Sequence, residues 1–149
     1  MHIPMQVDYG VRALVDLASN GSDGPVRATD ISKRQGIPEP YLAQVLHSLH
    51  KRGLTTTQRG PSGGHSLALE PSEISMGMIM DYLGGTQSMV GCLDEQGHCI
   101  QSPACSQRSV WLQVEKAMRS VLDSKSIADL VELNQIEALN SHSRAGFAV

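Results

Sequence analysis

The sequence predicts a mostly α-helical protein: a winged helix-turn-helix with a two-stranded wing and a long dimerisation helix. Three observations carry this. Two short amphipathic helical stretches flank a turn at Gly36, a β-prone pair of runs folds about the glycine-rich stretch 60–64 directly after them, and a long apolar stripe occupies 110–122. Apolar spacing of three to four marks helices, and threonine-rich runs around glycine mark hairpins. A chain of 149 residues has room for one such domain and an appended arm.

The first helix is predicted over 6–19, where Val7, Val11, Leu14, Val15 and Ala18 recur at helical spacing, with Arg12 and Asp16 on other faces. Turn-forming residues from Asn20 to Pro25 end it. Thr29 is placed to cap a short second helix that carries Ile31 and closes at Gly36. Pro38 and Pro40 suit the first turn of a third helix, in which Leu42, Val45, Leu46 and Leu49 lead to Arg52 and Gly53. Lys51 and Arg52 complement the negative end of that helix. In a helix-turn-helix this second member enters the major groove.

Runs 54–59 and 66–69 form the hairpin, with a loop at 60–64 short enough to lie along a minor groove and Arg59 at its base. A hairpin that merely caps a core would look the same locally; the helix–helix–hairpin order favours a wing. A further helix over 75–83, capped by Ser75 and stopped by Gly84 and Gly85, turns Met76, Ile79, Met80 and Leu83 inward. Val110, Val114, Ala117, Met118, Val121 and Leu122 form the long stripe, with Trp111 beside it. Its simplest burial is against a second copy about a two-fold axis, the alternative being its own domain. A last helix runs from Ile127 to Leu139. The expected map is a winged-helix domain at 1–85, a cysteine loop at 86–106, dimerisation and C-terminal helices at 107–139, and a poorly ordered tail at 140–149.

Charge is unevenly spread. Residues 27–65 carry Arg27, Lys33, Arg34, Lys51, Arg52 and Arg59 against Asp30 and Glu39, a net of +4 in a chain whose net charge is −3. A basic segment in an acidic protein is a candidate phosphate footprint, although a solvated helix face would give the same count. Aromatic residues make up only 3%, too few for a single-strand stacking platform. No apolar run is long enough to span a membrane, and the first ten residues lack signal-peptide regions, so a cytoplasmic protein is expected. There is no Ser/His/Asp set, and the glycines at 60–64 lack the Lys-Ser/Thr of a phosphate loop, so no enzyme is expected.

All three cysteines, Cys92, Cys99 and Cys105, lie in one loop, with six and then five residues between them. Zinc knuckles pair cysteines two to four apart, which this loop never does. Three thiolates on a loop containing Gly97 and Pro103 suit a larger, soft-ligand object such as an iron–sulfur cluster. Zinc and redox-active thiols remain open, and His98 is either a further ligand or a solvated loop residue.

Several motifs in this order resemble the Rrf-two (BadM/Rrf-type) family of winged-helix iron–sulfur regulators over about residues 1–135. They are Asp8-Tyr-Gly-Val-Arg-Ala-Leu14, Ile37-Pro-Glu-Pro-Tyr-Leu42, Gln58-Arg-Gly-Pro-Ser-Gly-Gly64, the three-cysteine loop, and Ser126-Ile-Ala-Asp-Leu-Val131. The resemblance implies a homodimeric transcription regulator, usually a repressor, binding a double-stranded operator. Its affinity would be set by a [2Fe–2S] or [4Fe–4S] cluster sensing nitric oxide, iron status or redox. A cluster-free thiol sensor is the alternative.

The resemblance also implies site residues. Cys92, Cys99 and Cys105 match the ligand positions, though the first gap is one residue longer than often seen. One branch takes a histidine three residues after the third cysteine, where this chain has Arg108. Another takes an aspartate on the partner's first helix, which Asp8 matches, the alternative being that Asp8 merely caps or solvates its own helix. For DNA, Glu39, Tyr41 and Gln44 are expected on the recognition helix, and Arg59, Ser62 and His65 at the wing. Gln44 suits a bidentate contact with adenine and Arg59 a narrow A·T minor groove. Ala43 replaces a glutamate that helps one branch select its DNA class.

Overall fold

The computed structural model describes residues 3–85, 93 and 105–145. Within them the order is α1 (Met5–Asn20), α2 (Ala28–Gln35), α3 (Glu39–Lys51), β1 (Thr55–Gln58) and β2 (Gly64–Leu67). A 3-10 turn (Pro71–Glu73), α4 (Met76–Leu83), α5 (Ser106–Asp123) and α6 (Ile127–Ala145) follow.

Helix α1 is the spine, because it buries two faces. Val7, Leu14 and Val15 pack with Val45, Leu49, Leu54, Ile74, Ile79, Leu83 and Ile127. Ala13 and Leu17 pack on the other side with Val26, Ile31, Ile37, Leu42 and Leu46. The apolar spacing read in α1 and α3 is therefore the core, and α3 is fixed by the residues between its exposed positions. Its C-terminus closes with paired backbone bonds, Gly53 N–H to the His50 carbonyl and Leu54 N–H to the Leu49 carbonyl, both 3.0 Å. Gly53 has φ 77°, the left-handed conformation this motif needs. Gly36 ends α2 in the same region, φ 63°.

Three local expectations need correction. Helix α2 starts at Ala28, with Arg27 at the N-cap and no side-chain cap bond, so Thr29 lies inside the helix rather than capping it. Strand β2 begins at Gly64 and ends at Leu67, two residues earlier at each end than read from the sequence. The reason is a third backbone segment: Val26 and His65 exchange N–H···O bonds of 2.8 and 2.7 Å, which draws the glycines into the ladder. Register runs Thr55↔Leu67 to Gln58↔Gly64. Finally, Asp16, placed off the apolar stripe, is nonetheless buried, 1% exposed.

Ser75 caps α4 as expected, accepting from Met78 N–H at 3.1 Å. The base of α4 is strapped to that of α6, with Met76 N–H donating to the Lys125 carbonyl (2.8 Å) and Ile127 N–H to the Ile74 carbonyl (2.9 Å). A reciprocal cap starts α6, in which Ser126 N–H and Oγ donate to Asp129 Oδ2 and Asp129 N–H donates to Ser126 Oγ. Helix α6 continues to Ala145, across the first six positions of the segment expected to be poorly ordered. By contrast, α5 has no buried residue over 18 positions. Val110 is 54% and Val121 62% exposed.

Candidate nucleic-acid interface and sensor loop

The exposed face of α3 displays Glu39, Tyr41 and Gln44, because Leu42, Val45, Leu46 and Leu49 are all turned into the core. Arg59 and Ser62 are exposed at the tip of the wing. His65 sits lower, opposite Thr57 in the ladder and half-buried, with Nδ1 3.4 Å from Thr57 Oγ1. Burial holds its pKa below the ordinary histidine value, and His50 nearby pushes the same way. The six residues expected to meet DNA thus lie on one helix, α3, and one hairpin.

The basic segment is not uniformly free to meet phosphate. Arg34 donates from Nε (3.0 Å) and Nη2 (2.7 Å) to both oxygens of buried Asp16, and Gln35 Nε2 adds a third bond at 2.9 Å. The hydrogen bonding of Arg34 to Asp16, more than any other factor, raises the Arg34 pKa further. Arg27 donates from Nη2 to the Pro61 carbonyl and so braces the wing loop against the start of α2. Arg52 lies over the Tyr82 ring, 5.4 Å from its centroid. Among the described residues, Lys33, Lys51 and Arg59 have no hydrogen-bond or ion-pair partner. Sequence reading missed both the Asp16 anchor and the Arg27 strut. An aspartate at a stripe-adjacent helix position was the available signal for the first; nothing local marked the second.

Asp8 is half-exposed on α1 and pairs with Arg12 Nη2 at 3.0 Å. Arg12 Nη1 in turn donates to the Gln35 carbonyl at 3.3 Å, the last residue of α2. Cys105 is half-buried at the N-cap of α5 and makes no side-chain cap bond. Arg108, one turn further on, has a buried Nε with no hydrogen-bond partner. Cys92 and Cys99 lie outside the described residues, and so does most of the loop expected to bind a cluster. Among the described residues no three histidine, cysteine or carboxylate side chains converge as a metal site. Helix α5 is locked to α4 by Arg119, whose Nη1 and Nη2 donate to Asp81 (2.6 and 2.8 Å) while Nε donates to Asp123 at 2.7 Å.

A helix-turn-helix with a braced hairpin and an outlying helical arm defines a winged-helix protein of the transcription-regulator class. A family model described as Rrf2, iron-dependent transcriptional regulator, matches residues 3–133, and the chain belongs to that family. It is 33% identical over 141 residues to the HTH-type transcriptional regulator IscR of Aliivibrio salmonicida (strain LFI1238), covering 95% of this chain and 83% of that protein. The solved structure of T. potens IscR superposes with TM-score 0.73 at 36% identity, over 89% of this chain and 87% of that one. CymR (YrzC), described as the global cysteine regulator of B. subtilis, gives TM-score 0.76 at 28% identity, over 89% and 98%. The chain is a transcription regulator of this type, not an enzyme. No helix among the described residues is long and apolar enough to cross a membrane.

Proposed function

We propose that the protein is a cytoplasmic, homodimeric repressor whose affinity for a double-stranded operator is set by an iron–sulfur cluster. Cys92, Cys99 and Cys105 would hold the cluster, with Asp8 of the partner subunit as fourth ligand. Such a cluster, [2Fe–2S] or [4Fe–4S], supplies a centre that reacts with nitric oxide or oxygen and is lost when iron is scarce. The donor set fits. Cys105 stands at the N-cap of the 18-residue α5, with its side chain engaged in no cap bond. The unpartnered Arg108 Nε–H beside it is a donor suited to an anionic neighbour.

The observation that carries the regulatory reading is the chain Asp8–Arg12–Gln35. Asp8 and the Gln35 carbonyl share one guanidinium. A second demand on Asp8 changes the hold of Arg12 on the end of α2, and the turn after Gln35 aims α3. Coupling of this kind is worth about 1–3 kcal/mol, or about 5- to 150-fold in affinity. Dimerisation is supported by the apolar side chains left partly exposed along α5 in one copy, Val110, Trp111, Val114 and Val121 among them. The two recognition helices of such a dimer reach half-sites about 34 Å apart.

The test is the absorbance, iron and sulfide content of protein purified without oxygen, repeated on Asp8→Ala. Visible absorbance with iron and sulfide supports the cluster, and a changed spectrum in the variant supports Asp8 as ligand. Protein that stays colourless after reconstitution removes the cluster and leaves the thiol-sensing alternative.

A further inference from the structure

Three histidines line one cavity where α3 meets the hairpin. A cavity of about 280 Å³ opens between α3 and the hairpin, lined by His47, His50 and His65. Two of them come from α3, three residues apart and so on one side of the helix, in line with Ala43 a turn earlier. His47, His50 and Ala43 are exposed, and Ala43 adjoins Gln44 on the face read above as meeting DNA.

The hydrogen bonding prepares two of the rings. The Thr55 carbonyl lies 3.0 Å from His50 Nδ1 and can only accept, so Nδ1 carries the proton and Nε2 is left to take a second. His65 Nδ1 is engaged by Thr57 Oγ1, which likewise leaves Nε2. His47 has no partner among the described residues. What faces the rings from the other elements is uncharged: Ala28 from α2, Thr57 from β1, and Ala43 and Leu46 from α3 itself. No carboxylate, lysine or arginine lines the cavity. The histidines are therefore its only titratable groups. An imidazole that takes up a proton gains a charge and a second donor, both of which suit a phosphate.

We propose that this histidine cluster is a proton-dependent phosphate subsite of the DNA face, binding a backbone phosphate between the recognition helix and the wing. The proposal rests on the DNA-binding reading and adds to it a ligand group, two residues and a pH dependence. A nearby phosphate favours the charged rings, so binding takes up protons and tightens as pH falls. Burial of His65 acts in the same sense, since it keeps that ring neutral in the free protein at higher pH.

Phosphate contacts do not depend on sequence, so a fluorescent mixed-sequence duplex of 30 base pairs is a sufficient probe. Its affinity for the full-length chain is measured by anisotropy between pH 8.0 and 6.0 at fixed ionic strength. Each proton taken up contributes up to about tenfold per pH unit. The wild-type chain should gain about tenfold or more across the range. The dependence on salt should also steepen at pH 6.0, by about 0.9 in log–log slope per added phosphate contact. In the triple variant His47→Gln, His50→Gln, His65→Gln both changes should disappear. The double variant His47→Gln, His50→Gln alters only exposed positions and should lose most of the pH response even if the His65 change perturbs the hairpin. An unchanged pH response in the double and triple variants overturns the subsite while leaving DNA binding in place. Absence of duplex binding at every pH removes the DNA-binding reading and the subsite with it.

Discussion

Replacing Arg34 by alanine separates what stabilises the fold from what touches DNA. The substitution deletes two charge-assisted bonds, 2.7 and 3.0 Å long, from a carboxylate that is 1% exposed. Bonds to charged groups contribute about 1.5–3 kcal/mol each, which sets a ceiling of about 3–6 kcal/mol. The Arg34 side chain is itself 41% exposed, so water enters the space it leaves, and the Gln35 bond to Asp16 survives. Discounting for that screening leaves a loss of about 2–3 kcal/mol. At about 2–4 °C per kcal/mol, the midpoint of thermal unfolding should fall by about 4–12 °C. Urea unfolding followed by circular dichroism at pH 7 measures the loss directly. A double-mutant cycle with Asp16→Asn should return most of it as coupling. A change within about 0.5 kcal/mol would refute the reasoning, since it would mean the buried carboxylate does not need its partner.

The same duplex assay should single out Arg59 among the cations. Arg59→Ala is expected to weaken binding and lower the salt slope by about one, whereas Arg34→Ala, once corrected for folding, should leave the slope unchanged; equal slopes for wild type and Arg59→Ala would strike that side chain from the phosphate contacts. A separate pH effect follows from the cap of α6. The Ser126 backbone N–H, then its hydroxyl, hold Asp129 below its ordinary value of 3.8. The cap's electrostatic contribution is therefore complete above that value and is lost as pH falls through the lowered folded value. Melting curves taken from about pH 7 to pH 2.5 should show a shallower acid decline in Asp129→Asn than in wild type, and superimposable declines would dismiss the cap as a titrating element.

Helix positions were legible because burial follows one-dimensional spacing. Leu42, Val45, Leu46 and Leu49 could face only one way, and that orientation alone puts Tyr41 and Gln44 outside. Ser75 and Gly36 were legible because a cap is a local chemical requirement. What escaped was long-range in the chain. Strand β2 begins at Gly64 because Val26, far upstream, supplies its partner backbone. The +4 segment was a candidate phosphate footprint or a solvated face, yet Arg34 is committed to a residue 18 positions away and Arg27 to one 34 away. Net charge counts cations; only packing says which of them are already spoken for. The histidine cavity has the same origin, since two of its rings share a helix and the third arrives by hairpin pairing.

The strap between Ile74–Met76 and Lys125–Ile127 has a consequence for biosynthesis. Ile127 is completely buried beside Val7, Leu14 and Leu49, although more than half the chain separates it from them. A ribosome makes the reading head, the wing, the cysteine loop and the arm before it makes the residue that closes their common core. A nascent chain, or one cut after Gly85, holds α1, α3 and α4 with the apolar slot that Ile127 fills left open to water. The core of the winged helix is thus completed last, by a helix that follows the whole of the cysteine loop in the chain.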